Sequence, residues 1–81
     1  MKKHEIKILP EYFALVATPH GGLKRFELRK NDRNYQVGDV VTLREWDGYE
    51  YTGSEITVGI KYVLKDCPEY GLMDGYCIFG W

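Results

Sequence analysis

The sequence predicts a mainly β fold with one short helix (an α+β class): a small, mostly antiparallel β-barrel of five or six strands. Residues 1–81 are expected to form a single domain, because a chain of 81 residues has room for one hydrophobic core. Several short segments alternate apolar and polar residues with the period of two that is typical of strands. Few residues separate these segments, so βαβ crossovers are not expected apart from the first helix.

The first half of the chain contains two predicted strands and the helix. "HEIKILP" alternates Ile6 and Ile8 with charged residues, which predicts a short strand. Pro10 suits the first turn of a helix, and Pro19 disfavours helical backbone just before it, so a helix of about two turns is expected between them. "HGG" is then expected to be a loop.

The next strand is predicted over "KRFELRK", which holds an alternation of apolar and charged residues. Phe26 and Leu28 are expected to face the core, and Arg25, Glu27 and Arg29 to lie on the opposite face.

The second half of the chain supplies the remaining strands. "VVTLREW" and the Asp47–Gly48 pair that follows predict a strand entering a hairpin turn. "EITVGIKYVLK" is expected to be one continuous strand with one buried face, formed by Ile56, Val58, Ile60, Tyr62 and Leu64. "YCIFGW" predicts a last strand.

The net charge of −1 conceals two halves of opposite sign. Residues 1–33 hold eight Lys or Arg and four Asp or Glu, whereas residues 34–81 hold three and eight. The halves can neutralise each other across the fold, or they can leave a basic surface for an anionic partner.

Several classes of protein are disfavoured by what the sequence lacks. Cys67 and Cys77 are not at metal-ligand spacing, and two cysteines are too few for a disulfide scaffold of this size, so free, partly buried thiols are expected. No apolar stretch has the length of a signal peptide or membrane span. We therefore expect a cytoplasmic protein with no membrane partner, metal or cofactor, and favour a monomer.

The most informative segment is the charged strand and its flanks. Arg25, Glu27 and Arg29 share a face, Lys24 begins the strand, and Lys30 and Arg33 follow it. Neighbours two apart on a strand face can pair, so the two arginines are expected to be able to hold Glu27. Such a row can simply be a solvated face or a satisfied ion pair. It can also hold guanidinium groups in place to bind phosphate or base edges bidentately.

Exposed aromatic residues near these cations are further candidates, because they can stack on unpaired bases. Tyr35 is the preferred stacking residue, since it lies closest to the basic run. Trp46 and Tyr49 flank the hairpin turn, where cross-strand packing is the more common role.

The segment "GLKRFELR" matches the pattern Gly-x-Lys-x-x-Glu-x-Arg, which resembles the signature of the ASCH (activating signal cointegrator homology) domain family of the PUA-like superfamily. The flanking "HEIKILPEYFALV", "RKNDRNYQVGDVVTLREWD", "EYTG" and "YVLKD" are similar to a small branch of that family, so the resemblance covers nearly the whole chain. It implies a small PUA-like barrel that binds RNA or a nucleotide in a cleft beside its helix. The motif positions Gly22, Lys24, Glu27 and Arg29 would line that cleft.

The resemblance also implies an enzymatic alternative. One branch of the family is similar to an amidohydrolase that removes the acetyl group from N4-acetylcytidine. It uses a Lys that matches Lys24, a Thr where this chain has Glu27, and a Glu from an insertion with no counterpart here. Lys24 and Glu27 would be the catalytic candidates, although two nearby arginines would count against Glu27 as a base.

Three hypotheses follow. The preferred one is a nucleic-acid-binding module that recognises a short single-stranded RNA segment or a nucleotide weakly. Its contacts would come from Gly22, Lys24, Glu27, Arg29, Lys30, Arg33 and Tyr35. The alternatives are a small amidohydrolase acting on a modified nucleoside, and a protein-interaction or regulatory module whose charged row is structural.

Overall fold

The computed structural model describes residues 1–18 and 22–81. They form a mainly β fold with one short helix. In chain order the elements are β1 (Lys3–Ile8), α1 (Pro10–Val16), β2 (Phe26–Lys30), β3 (Val40–Trp46), β4 (Tyr51–Gly59), β5 (Tyr62–Lys65), a 3₁₀ turn (Pro68–Tyr70) and β6 (Tyr76–Gly80). None of the helices in this part of the chain is long and apolar enough to cross a membrane.

The strands pair into two three-stranded sheets, in the orders β1-β3-β4 and β2-β6-β5. β1 runs parallel to β3, and the other three pairings are antiparallel. This confirms the mostly antiparallel β fold. The pairings do not join the two sheets across the described residues, so the predicted closure into a barrel stays a prediction.

The core lies between the sheets and is built from the alternating residues of β1, β3 and β6. Ile6 and Ile8 are buried as predicted, and Val41, Leu43, Cys77 and Phe79 are completely enclosed. Cys67 and Cys77 are free thiols, also as predicted, and both are buried. Burial raises the pKa of the Cys77 thiol, because removal from water disfavours the thiolate.

The helix and the hairpin form where the sequence predicts them. Pro10 occupies the start of α1, which spans seven residues and ends at Val16. The turn between β3 and β4 is closed by Asp47, whose Oδ1 accepts the backbone N–H groups of Tyr49 and Glu50, both at 2.9 Å. Of the loop expected at residues 20–22, residues 20 and 21 lie outside the described residues.

The predicted continuous strand over residues 55–65 is wrong. The chain leaves the first sheet after Gly59 and enters the second at Tyr62. Ile60, buried between them, donates its N–H to the Asp39 carbonyl, while Lys61 donates to the Gly80 carbonyl. This crossing reverses the alternation, so that Val63 packs against the core and Tyr62 and Leu64 are exposed.

The predicted orientation of β2 is also wrong. Phe26 and Leu28 are 51% and 54% exposed, whereas Glu27 is buried. Residues directly opposite each other in a sheet share a face, and Glu27 lies opposite Phe79, one of the enclosed core residues. Pairing with β6 therefore turns the charged face of β2 inward.

Candidate ligand-binding groove

A groove of about 630 Å³ lies between the edge strand of each sheet. β1 and the start of α1 form one wall, and β2 forms the other. Its lining consists of Lys7, Ile8, Leu9, Tyr12, Lys24, Phe26, Glu27, Leu28, Arg29 and Trp46. The volume is within the range of pockets that hold small ligands.

Glu27 is an anchored carboxylate in the lining of this groove. Its Oε1 accepts a hydrogen bond from Lys24 Nζ, and its Oε2 accepts one from Arg29 Nε at 2.8 Å. Two cations on one carboxylate leave an excess positive charge at the centre of the groove. Two arginines were predicted to hold Glu27. Arg29 is one of its partners, and Lys24 takes the place predicted for the second arginine.

Lys24 is held among aromatic rings as well as by Glu27. Its Nζ lies 5.0 Å from the ring centroid of Phe26 and 6.0 Å from that of Tyr12. It also donates a hydrogen bond to the Phe26 carbonyl. These contacts fix the ammonium group in one position and leave its side chain only 15% exposed.

Two arginines connect β2 and the loop after it to the open edge of β1. Arg29 donates to the Lys7 carbonyl and Arg33 to the Glu5 carbonyl. Residues two apart in a strand present their carbonyls to the same edge. The two guanidinium groups therefore provide hydrogen-bond donors for carbonyls on the edge of β1 that does not pair with β3. Part of the charged run is therefore structural.

Lys7 and Trp46 complete the opposite wall. The Lys7 Nζ lies 4.6 Å from the centroid of the Trp46 ring, and Trp46 pairs with Tyr51 across the hairpin. Trp46 was predicted either to stack on bases or to pack across the strands. It packs across the hairpin and also lines the groove.

The remaining predicted residues lie apart from the groove. Lys30, Arg33 and Tyr35 line a smaller depression of about 210 Å³, which Arg29 and Lys7 share with the groove. Tyr49, at the hairpin turn, is 94% exposed and does not line either cavity.

The prediction that Tyr35 offers an exposed ring for stacking is wrong. Tyr35 is 2% exposed, and its ring packs between His4 and Phe79, with centroid distances of 4.8 and 4.6 Å. Burial raises the pKa of its hydroxyl. The loop after β2 folds back over the core, so Tyr35 serves packing instead of ligand contact.

Gly22, the first motif position, shapes the connection to the groove. Its φ is +81°, and a Cβ at this position would lie 2.8 Å from the Val16 carbonyl oxygen. The next two residues, Leu23 and Lys24, both donate their N–H groups to the Leu15 carbonyl. Glycine is needed here because the chain passes directly against the end of α1.

Sequence reasoning did not place Lys7, Tyr12 or Phe26 in the site. The parallel pairing of β1 with β3 brings Lys7 beside Trp46. The alternation of residues within a strand does not indicate which distant strand it pairs with, so this contact could not be predicted. Among residues 1–18 and 22–81, no three His, Cys, Asp or Glu side chains are grouped as a metal site would require.

The fold and the groove define a small two-sheet β domain with a cationic, aromatic-walled groove. The chain belongs to the family described as "Domain of unknown function (DUF3850)", whose model matches residues 3–81. It is similar to a protein of Escherichia phage P2 described as "Uncharacterized 12.9 kDa protein in GpA 3'region", with 44% identity over 62 residues. That match covers 76% of this chain and 54% of the phage protein, so the chain spans about half the length of this relative.

Proposed function

We propose that this protein binds a nucleotide or a short single-stranded RNA segment in the groove between β1, α1 and β2. The observation that carries the proposal is the combination of three aromatic side chains and three cations around one buried carboxylate. Tyr12, Phe26 and Trp46 supply the rings, and Lys7, Lys24 and Arg29 supply the charge. Bases stack on aromatic faces, and phosphates pair with such cations.

The anchored carboxylate adds a reason to expect selectivity. Glu27 holds Arg29 in place, and the guanidinium has further N–H donors beyond the two bonds formed within the described residues. A prepositioned guanidinium can bind a phosphate or a base edge bidentately at a small entropic cost. In this proposal the protein is a cytoplasmic monomer with a PUA-like, ASCH-type barrel. It binds its ligand weakly and with a preference for particular bases.

Binding is favoured over hydrolysis because both oxygens of Glu27 are engaged. Lys24 holds Oε1 and Arg29 holds Oε2, so both oxygens are occupied rather than free to take a proton from water. Incubation with N4-acetylcytidine tests this directly. Enzyme-dependent release of acetate that disappears in Lys24→Met would replace the binding proposal with the amidohydrolase.

The main experiment is a fluorescence titration with cytidine 5′-monophosphate and with a mixed-sequence single-stranded RNA of about eight nucleotides. Trp46 lines the groove and is expected to report binding. Trp81, the second of the two tryptophans, is outside the lining, but its ring centroid lies 5.9 Å from Lys24 Nζ, so it can respond as well. The titration is therefore read in Trp81→Phe, and adding Trp46→Phe to that variant should remove the signal. Binding of neither probe would refute the proposal.

Lys7 is the best cation to remove, because Lys24 and Arg29 also support the fold. Lys7→Ala should weaken RNA binding severalfold and reduce the slope of log affinity against log salt by about one. Lys3→Ala is the matched control on the same strand, outside the groove lining. Equal effects of the two changes would show that the groove is not the site.

A further inference from the structure

The outer face of the second sheet is apolar and exposed. This face, defined here by Phe26, Leu28, Tyr62, Leu64, Ile78 and Gly80, contains three side chains that are more than half exposed. Phe26 is 51%, Leu28 54% and Tyr62 64% exposed. An antiparallel sheet with one solvated face usually carries polar residues there, so a contiguous apolar face indicates an interaction surface.

The register of the strands arranges this face in rows. Phe26 lies opposite Gly80, and Gly80 lies opposite Tyr62, so two aromatic residues flank a position without a side chain. In the next row, Leu28, Ile78 and Leu64 are aligned in the same way. The outer strands are roughly 10 Å apart, since neighbouring strands are separated by about 4.8 Å. The arrangement offers flat apolar surface for planar rings.

The charge around this face differs from the charge of the first sheet. The strands of the second sheet hold three Lys or Arg and one acidic residue, the buried Glu27. The strands of the first sheet hold three Lys or Arg and three Asp or Glu. Lys24 lies beside the Phe26 ring at 5.0 Å, and Lys30 and Lys61 are exposed at the ends of β2 and β5. The apolar face is thus bordered by cations.

The groove and the outer face are continuous. Phe26 and Leu28 belong to the outer face and also line the groove, because β2 is the edge strand between the two. A chain that leaves the groove over β2 would reach the row of Phe26, Gly80 and Tyr62.

We propose that the outer face is a stacking platform for further unpaired bases of the single-stranded RNA segment whose first nucleotide occupies the groove. The inference rests on the proposed function. Bases would stack on Phe26 and Tyr62, and the flanking phosphates would pair with Lys30 and Lys61. An apolar face ringed by positive charge matches the chemistry of an extended single strand, which has aromatic bases and a polyanionic backbone.

Tyr62→Ala is the decisive change, because Tyr62 is exposed and is outside the groove lining. It should weaken binding of the eight-nucleotide RNA by about fivefold or more, the range expected for one lost base–aromatic contact. Binding of cytidine 5′-monophosphate should not change. Tyr62→Phe should restore RNA affinity, since the ring remains. Tyr70→Ala is the matched control, an exposed tyrosine (86%) on the 3₁₀ turn.

Other outcomes separate the two proposals. If RNA binds the unaltered protein and Tyr62→Ala leaves its affinity unchanged, the platform is refuted while the groove stands. If neither RNA nor the mononucleotide binds, both proposals fail. If Tyr62→Ala changes only the oligomeric state in analytical ultracentrifugation, with RNA affinity intact, the face is a contact between copies of the chain and the platform is again refuted.

Discussion

Glu27 is the residue on which the interpretation of the charged strand depends. It is 6% exposed and holds one cation on each carboxylate oxygen. A buried charge destabilises the fold unless it is paired and hydrogen-bonded. Removing one partner of a buried ion pair therefore lowers the free energy of unfolding more than removing an exposed pair does. The same carboxylate therefore supports the fold and holds Arg29 in the groove.

The first prediction concerns the stability contributed by this carboxylate. Glu27→Ala leaves Lys24 and Arg29 without their acceptor and should lower the free energy of unfolding by about 2–4 kcal/mol. Glu55→Ala is the matched control. It removes a 57% exposed carboxylate 3.6 Å from Arg44 and should cost less than about 1 kcal/mol. Urea denaturation measures both, and equal losses would contradict the role given to Glu27.

A second buried pair joins His4 to Asp39. His4 Nε2 donates to Asp39 Oδ2 at 2.9 Å, and the same carboxylate accepts the backbone N–H groups of Lys2 and Gln36. The hydrogen bond from His4, followed by that from the Lys2 backbone, lowers the pKa of Asp39 from 3.8 to about 2. This pair fixes the starts of β1 and β3.

The second prediction follows from that pKa. Because the folded-state pKa of Asp39 is below its unfolded value, the carboxylate stabilises the fold above about pH 4, and this contribution is lost as the pH falls from 3.8 towards 2. The melting temperature of the unaltered protein should decrease over this range, and Asp39→Asn should remove that part of the decrease. Parallel curves for the two proteins between pH 5 and 2 would contradict the prediction.

At the level of elements, the connection between α1 and β2 sets the width of the groove. The Leu15 carbonyl accepts both Leu23 and Lys24 N–H groups, at 2.8 and 3.2 Å. Gly22 passes against Val16 at the same place. The helix end and the edge strand are therefore held together by backbone contacts, which places Tyr12 of α1 across from β2.

The third prediction compares two glycines with positive φ. Gly22 has φ +81° and a backbone oxygen 2.8 Å from where a Cβ would lie, whereas Gly38 has φ +95° and no atom within 4 Å. Gly38→Ala should cost about 1–2 kcal/mol, the penalty of left-handed backbone. Gly22→Ala should cost about 3 kcal/mol or more, because the clash adds to it. Similar unfolding free energies for both variants would contradict the close approach at Gly22.

For the whole molecule, the main feature is the separation of charge between the two sheets. The first sheet is balanced, and the second is basic with its one carboxylate buried. A net charge of −1 therefore does not describe the surface that a polyanion would meet. Acidic residues of the second half, such as Glu55, lie on the first sheet and in turns.

The fourth prediction tests this separation. Lys61→Glu, at the residue before β5, should weaken binding of the eight-nucleotide RNA roughly tenfold at low salt, and the difference should shrink as salt is added. Lys3→Glu makes the same change on the balanced sheet and should alter the affinity less than about twofold. Equal effects would indicate a response to net charge rather than to the basic sheet.

The sequence by itself determined the local elements. Alternation in "HEIKI" and "VVTLREW", Pro10 at the helix start and Asp47–Gly48 at the hairpin each depend on neighbouring residues, so a short window is sufficient to predict them. The matching motif also directed attention to Lys24, Glu27 and Arg29, which the fold brings to one groove wall.

The tertiary structure alone decided which face of β2 and of β5 is buried. In β2, local hydrophobicity favours Phe26 and Leu28 inward, but the strand must follow the pleat of β6, where Phe79 occupies the core opposite Glu27. Both faces of "YCIFGW" are apolar, so the sequence does not specify the choice. The reversal of the buried and exposed alternation at Ile60 and the burial of Tyr35 have the same origin. Both result from pairing and packing between residues far apart in the chain, which a short sequence window does not contain.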